Sequence, residues 1–240
     1  MKLEVITTLQ DVTEDKVREK TAVVFDVLRC TTSIVTALAN GCRKIIPAAS
    51  KHEAIELYNN SAEVDKLLAG EVNGVKLPEF HLGNSPLEFT ARQVKNKTII
   101  MSTTNGTLAI KKCKTAHAVL IGSFLNISSV CRQALAAGRD IAVICAGTKG
   151  RIALEDILVA GMVVAIIRKL QPDIHTEDPG LTLYHLYQYL KGNMKQAVYT
   201  SRSGLKLHDL GLRRDIDYSL QKNRYAITPV FRENAIRLVN

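Results

Sequence analysis

Three times along this 240-residue chain an aliphatic, strand-like run stops, a loop rich in Thr, Ser, Gly or Asn follows, and an apolar-periodic helix begins. The stretches are VVFDVLRCTTS (23–33), IIMSTTNGT (99–107) and AVICAGTKGRIALED (142–156). Short aliphatic strands alternating with helices argue for a mainly parallel or mixed sheet covered on both faces, a three-layer α/β/α fold. Ligands of such sheets bind beyond the carboxyl ends of the strands, where helix N-termini offer unpaired N–H groups and a positive dipole end. Three such termini converging would hold a phosphate-like anion. Two of the loops also bring carboxylates, Asp26 and the Glu155–Asp156 pair. A phosphate cradle beside oxygen ligands that suit Mg2+ points to phosphoryl chemistry.

The same pattern sets the expected elements. Strands are predicted at 3–7, 22–25, 44–47, 98–101, 117–121 and 141–145, and helices at 32–39, 51–59, 106–112, 126–137 and 154–170. Gly41 and Gly138 fall where helix C-caps belong. Thr31-Thr32 and Thr103-Thr104 each lead through a helix to a strand and then to a Ser, which suggests two related strand–helix–strand units about 72 residues apart. Two segments break the rhythm. Residues 70–89, GEVNGVKLPEFHLGNSPLEF, form a long, partly apolar stretch, expected to be ordered and functional. Residues 171–180, QPDIHTEDPG, read as a linker or surface crossing. A single domain over 1–240 is expected, with 171–180 as the place where two subdomains would meet.

Composition narrows the partners. The net charge of +9 favours an anionic one. The basic residues are scattered and no Lys/Arg run is interleaved with aromatics, so nucleic acid is not expected. The five cysteines lack metal-ligand spacing and read as small buried hydrophobes in a reducing compartment. The opening MKLEVITTLQDV reads as a strand, not a signal peptide, and the apolar stretch 157–167 is too short to span a bilayer. A cytoplasmic protein with no membrane partner is expected, and a homodimer is the expected assembly.

Several side chains could carry chemistry. Asp26 closes a hydrophobic strand, a position that suits a metal ligand but also an ordinary solvated strand end. Arg29 could clamp phosphate or sulfonate oxygens with its planar fork, or pair back to Asp26. Glu155 and Asp156 stand in the first turn of a helix, where one carboxylate would merely complement the dipole and two behind a Gly-rich loop suggest more. TTNGT can cradle phosphate or simply cap a helix. Cys145 and Arg151 in CAGTKGR have the spacing of Cys-dependent phosphatases, although no His precedes the Cys and the Gly spacing differs. Asp26 as a nucleophile would be expected to have a second Asp two residues on, where this chain has Leu28. The six histidines show no metal-like clustering.

Five pieces carry a resemblance across residues 20 to 230: FDVLRCTTSIVTALANG, GEVNGVKLPEFHLGNSPLEF, TTNGT, CAGTKGRIALEDILVAG, and SGLKLHDLG with DIDY after it. In this order they resemble the 2-phosphosulfolactate phosphatases, Mg2+-dependent enzymes of coenzyme M biosynthesis. The resemblance implies hydrolysis of (R)-2-phospho-3-sulfolactate to 3-sulfolactate and phosphate on a three-layer α/β/α fold. It picks out Asp26, Arg29, Thr31, Thr32, Glu71, Asn84, Ser85, Thr103, Thr104, Asn105, Gly106, Glu155 and Asp156 as site residues. One departure is visible: the family usually follows the Glu of GE with Arg, and here Val72 stands there.

The expected mechanism is metal-assisted hydrolysis. Asp26, Glu71, Glu155 and Asp156 would hold Mg2+, and Arg29 would clamp an anion. Thr31, Thr32, Ser33, Asn84, Ser85, Thr103, Thr104, Asn105, Gly106 and Lys149 would bind the substrate, a phosphorylated and sulfonated hydroxy acid. Asp156 would orient the attacking water. Two rival readings are a metal-independent phosphatase built on Cys145 and a non-catalytic binder of phosphorylated metabolites or nucleic acid.

Overall fold

The computed structural model describes residues 1–238. Its strands are β1 (Lys2–Ile6), β2 (Thr21–Phe25), β3 (Lys44–Ala48), β4 (Lys66–Val72), β5 (Val75–Lys76), β6 (Thr98–Ser102), β7 (Ala118–Gly122), β8 (Ile141–Cys145), β9 (His175–Thr176), β10 (Pro229–Arg232) and β11 (Ala235–Leu238). Its helices are α1 (Glu14–Val17), α2 (Cys30–Ala39), α3 (Lys51–Asn60), α4 (Ala91–Val94), α5 (Gly106–Lys112), α6 (Ile127–Ala136), α7 (Leu154–Leu170), α8 (Asp178–Leu190), α9 (Met194–Tyr199), α10 (Arg202–Asp209) and α11 (Arg213–Ser219). No helix among the described residues is long and apolar enough to cross a membrane.

The strands form one open sheet in the order β5-β4-β6-β3-β11-β10-β7-β2-β8-β1-β9. It consists of two parallel blocks, β4-β6-β3 and β7-β2-β8-β1, separated by the β10–β11 hairpin. The hairpin pairs antiparallel with both β3 and β7, so the two blocks run in opposite directions. The two expected strand–helix–strand units, β2–α2–β3 and β6–α5–β7, both bridge the hairpin, each starting in the block where the other ends. Their helices lie side by side on one face and touch.

Strand residues feed the two faces alternately, as the pleat requires. In β2, Ala22 and Val24 enter the core shared with α2 and α5, while Val23 and Phe25 enter the core shared with α6 and α7. In β6, Ile99 and Met101 face α2 and α5, and Ile100 packs beside α3. Strands buried on both sides must be aliphatic throughout, which is why they stand out in the sequence.

Three expectations gain detail in the structure. Helix α2 begins at Cys30 rather than at residue 32, because the Thr31 and Thr32 hydroxyls bond back to the carbonyls of Asp26 and Val27 inside its first turn. Within residues 171–180, expected as a linker or surface crossing, β9 joins the sheet beside β1 and α8 already starts at Asp178. Residues 70–89 are ordered, with Phe80 and Leu82 buried, but they begin with the end of β4 and include β5.

Candidate active site

The site grows from the point where α2 and α5 begin. Asp26 follows the last residue of β2, and its Oδ1 lies 3.4 Å from the Cys30 N–H in the first turn of α2. Thr31 pins the backbone there: its Oγ1 accepts from Asp26 N–H at 3.0 Å and its hydroxyl donates to Asp26 O at the same distance. The start of α5 packs against this spot. A Cβ on Gly106 would lie 2.6 Å from Asp26 Oδ2 and 2.5 Å from Cys30 Cβ, so the two helix starts meet only because this residue has no side chain.

Glu71 arrives from β4. Its neighbour Gly70 is in register with Ser102 of β6, where a Cβ would stand 1.8 Å from Ser102 O. This close approach sets Glu71 under the loop after β6. Its Oε1 accepts from the Thr104 N–H at 2.9 Å and from the Thr104 hydroxyl at 2.8 Å, and its Oε2 accepts from the Gly74 N–H. Gly74 O in turn accepts from Arg29 Nη2 at 2.8 Å. Arg29 Nη1 pairs with Asp215 of α11 at 2.7 Å, and Ser85 donates to the other Asp215 oxygen at 2.7 Å. Arg29 is therefore paired with Asp215, from the DIDY segment, and not with Asp26.

The loop after β8 contributes Lys149. Thr148 and Arg151 exchange backbone hydrogen bonds across a tight turn whose central residues, Lys149 and Gly150, both have positive φ. This puts Lys149 at the tip of the turn.

These elements border an open cavity of about 210 Å³. Of the expected residues, Asp26, Arg29, Glu71, Asn84, Thr104, Asn105 and Lys149 line it. The others do not. Thr31, Thr32 and Ser33 are buried, with their hydroxyls on the carbonyls of Asp26, Val27 and Asn84. Ser85 is spent on Asp215, and Thr103 bonds the Thr107 N–H through its side chain. Gly106 is enclosed between Asp26 and Cys30. Asp156 is buried behind the cavity, accepting from Val27 N–H at 2.9 Å and Gly147 N–H at 3.0 Å, and so ties the β2 loop to the β8 loop. Glu155 lines a neighbouring pocket of about 180 Å³ with Ser201 and Ser203, and its buried Oε2 has no partner.

Electrostatics follow from burial. Asp26 is pushed up to about 7, first by burial and then by the negative charge of Glu71. Burial also raises Glu155, and it raises Asp156 well above its ordinary value with the charges of Glu155 and Asp26 adding to it. Cys145 is fully buried, and burial followed by the negative charge of Asp156 pushes its thiol well up, which disfavours the thiolate a nucleophile would need. Asp26 and Glu71 thus face one cavity, while the ion pairs of the described residues involve other acids. That donor set fits Mg2+, which takes one or two carboxylates and completes its shell with water and substrate oxygens. Among the described residues no group of three or more His, Cys, Asp and Glu side chains is arranged to hold a metal ion, and of the four expected carboxylates Asp26 and Glu71 line this cavity while Glu155 and Asp156 do not.

Part of the wall lies outside the residues expected from the sequence. Arg202, Ser203 and Lys206 of α10, and Asn73 and Gly74 of the β4–β5 turn, also line the cavity. A signal existed in TSRSGLKLHDLG: Ser201 caps α10 by accepting from the Gly204 N–H at 3.1 Å, and the helix opens with a cation.

A sequence model of the family described as 2-phosphosulpholactate phosphatase matches residues 6–234. A probable 2-phosphosulfolactate phosphatase of Caldanaerobacter subterraneus subsp. tengcongensis is 37% identical over 237 residues, covering 99% of this chain and 98% of that protein. One from Clostridium acetobutylicum is 35% identical, covering 98% and 100%, and one from Symbiobacterium thermophilum is 37% identical, covering 92% and 94%.

Proposed function

We propose that this chain, which belongs to the 2-phosphosulfolactate phosphatase family, hydrolyses (R)-2-phospho-3-sulfolactate to 3-sulfolactate and phosphate with the help of Mg2+. Membership makes it a phosphoric monoester hydrolase. The observation that carries the finer reading is the division of one cavity into two poles. Asp26 and Glu71 stand together with Thr104 and Asn105, and cationic residues line the same space. A substrate with a phosphate and a second strong anion needs both.

Asp26 and Glu71 would hold the metal, which when bound supplies positive charge to a phosphate oxygen. The chain does the remainder. Glu71 and Thr104 are locked to each other by two hydrogen bonds, so the loop that meets the phosphate is fixed before substrate arrives. Asp156 acts from behind by holding the β2 and β8 loops at one spacing. Water attacks phosphorus, the ester P–O bond breaks, and the hydroxy acid leaves with a proton.

The five cysteines are free and buried, which supports a reducing, cytoplasmic setting. A homodimer is the assembly we infer, and sedimentation equilibrium tests it. The activity is tested by phosphate release from a panel of phosphorylated 2-hydroxy acids with Mg2+. Fastest turnover is expected with 2-phospho-3-sulfolactate, and silence across the panel refutes the reading.

A further inference from the structure

Arg202 and Lys206 stand four residues apart on α10, and both line the cavity, as does Lys149 from the turn after β8. Residues at i and i+4 share a helix face, so the two α10 cations repel each other. Arg202 is also the first residue of α10, at the positive end of its dipole, where a cation is unfavourable. Among the described residues no ion pair neutralises Arg202, Lys206 or Lys149, and Arg29, the remaining cation of the cavity wall, is neutralised by Asp215. Arg202, Lys206 and Lys149 are exposed to solvent, but unlike the charges of an ordinary Lys/Arg face all three border one cavity, which Asp26 and Glu71 also line.

We propose that α10 reads the second anion of the substrate. Arg202 and Lys206, joined by Lys149, take the sulfonate of the hydroxy acid while its phosphate lies against Asp26, Glu71 and Thr104. A sulfonate between the two α10 cations relieves their repulsion, and the planar guanidinium matches two of its oxygens. The ligand class is an organic phosphate carrying a second, permanently charged anion. These residues determine specificity and do not touch the reacting phosphorus. The identity of the second anion rests on the phosphatase reading above.

The test compares 2-phospho-3-sulfolactate with 2-phospholactate, which keeps phosphate and carboxylate and has hydrogen in place of the sulfonate. In wild type, kcat/KM should favour the sulfonated ester. In the double variant R202Q/K206Q the ratio of the two kcat/KM values should fall at least tenfold. An unchanged ratio overturns the proposal, whether both rates drop together or neither does. Melting of the same proteins with 3-sulfolactate, with lactate as the control, reads binding without turnover. A rise in Tm confined to 3-sulfolactate and to the wild type is expected. An equal rise in the double variant, or none in the wild type, overturns the subsite. If wild type cleaves neither ester, the phosphatase reading fails, and the melting result alone decides for or against the anion subsite.

Discussion

Gly106 touches Asp26 where two neighbouring helices start: one opens the helix that follows β6, the other directly follows β2, and an added Cβ would lie 2.6 Å from the carboxylate. The second contact of such a Cβ is Cys30 Cβ at 2.5 Å, so neither neighbour can retreat without moving α2. Replacing Gly106 with Ala should therefore cost about 1–3 kcal/mol of stability through overpacking. It should also lower kcat/KM, because Asp26 is displaced. Urea denaturation together with phosphate-release kinetics checks both effects. Wild-type values for each would show that the two helix starts are not so closely joined.

Asp26 links stability to pH. Its carboxyl rises from 3.8 to about 7 on folding, so between those values the folded chain holds a proton that the unfolded chain has released. Stability from this group is present below pH 4 and is lost as pH climbs through 7. In metal-free protein, Tm should fall from pH 5 to pH 8 more steeply in wild type than in Asp26→Asn. The same substitution should cut turnover at least tenfold. Parallel Tm curves would show that Asp26 is not held protonated, and undiminished turnover would remove it from the site.

Arg29 and Asp215 are both almost fully buried and pair at 2.7 Å. Removing one partner leaves a buried charge uncompensated, so Asp215→Ala should destabilise the protein by about 3–5 kcal/mol. The double variant Arg29→Met, Asp215→Ala should recover part of that loss. Chemical denaturation of the single and double variants measures the coupling, and strict additivity would contradict it.

Chelation separates metal chemistry from thiol chemistry. EDTA should abolish phosphate release and added Mg2+ should restore it. Cys145→Ala should keep at least half of the wild-type rate, because the thiol is buried and protonated. Turnover that survives EDTA and disappears in Cys145→Ala would reverse both assignments.

Much of the frame could be read from the sequence, for a physical reason. Strands buried on both faces are aliphatic runs, and β8, α5 and α7 fall at the expected residues. Strand β4 is hard to read from sequence because Gly70 and Glu71 break off the short apolar run that follows Lys66. The β10–β11 hairpin leaves little signal in the sequence because PVFR and AIRL are short and carry Arg and Pro. Within the site, residues that follow a strand directly were found, while α10 was not. Its cavity-lining positions look like an ordinary charged surface until the fold shows that the surface is concave. The Thr-rich starts of α2 and α5 were legible as special, but hydroxyls can satisfy backbone groups as well as a ligand, and sequence does not say which way they turn.

The β10–β11 hairpin sits mid-sheet, yet it follows every other strand in chain order. A growing polypeptide must therefore make β3 and β7 first and leave their edges open until the hairpin emerges. Exposed edges of aliphatic strands invite pairing with other copies. A product truncated before Pro229 should accordingly aggregate, and the cavity, whose walls come from both blocks, should form fully only in chains that carry the hairpin.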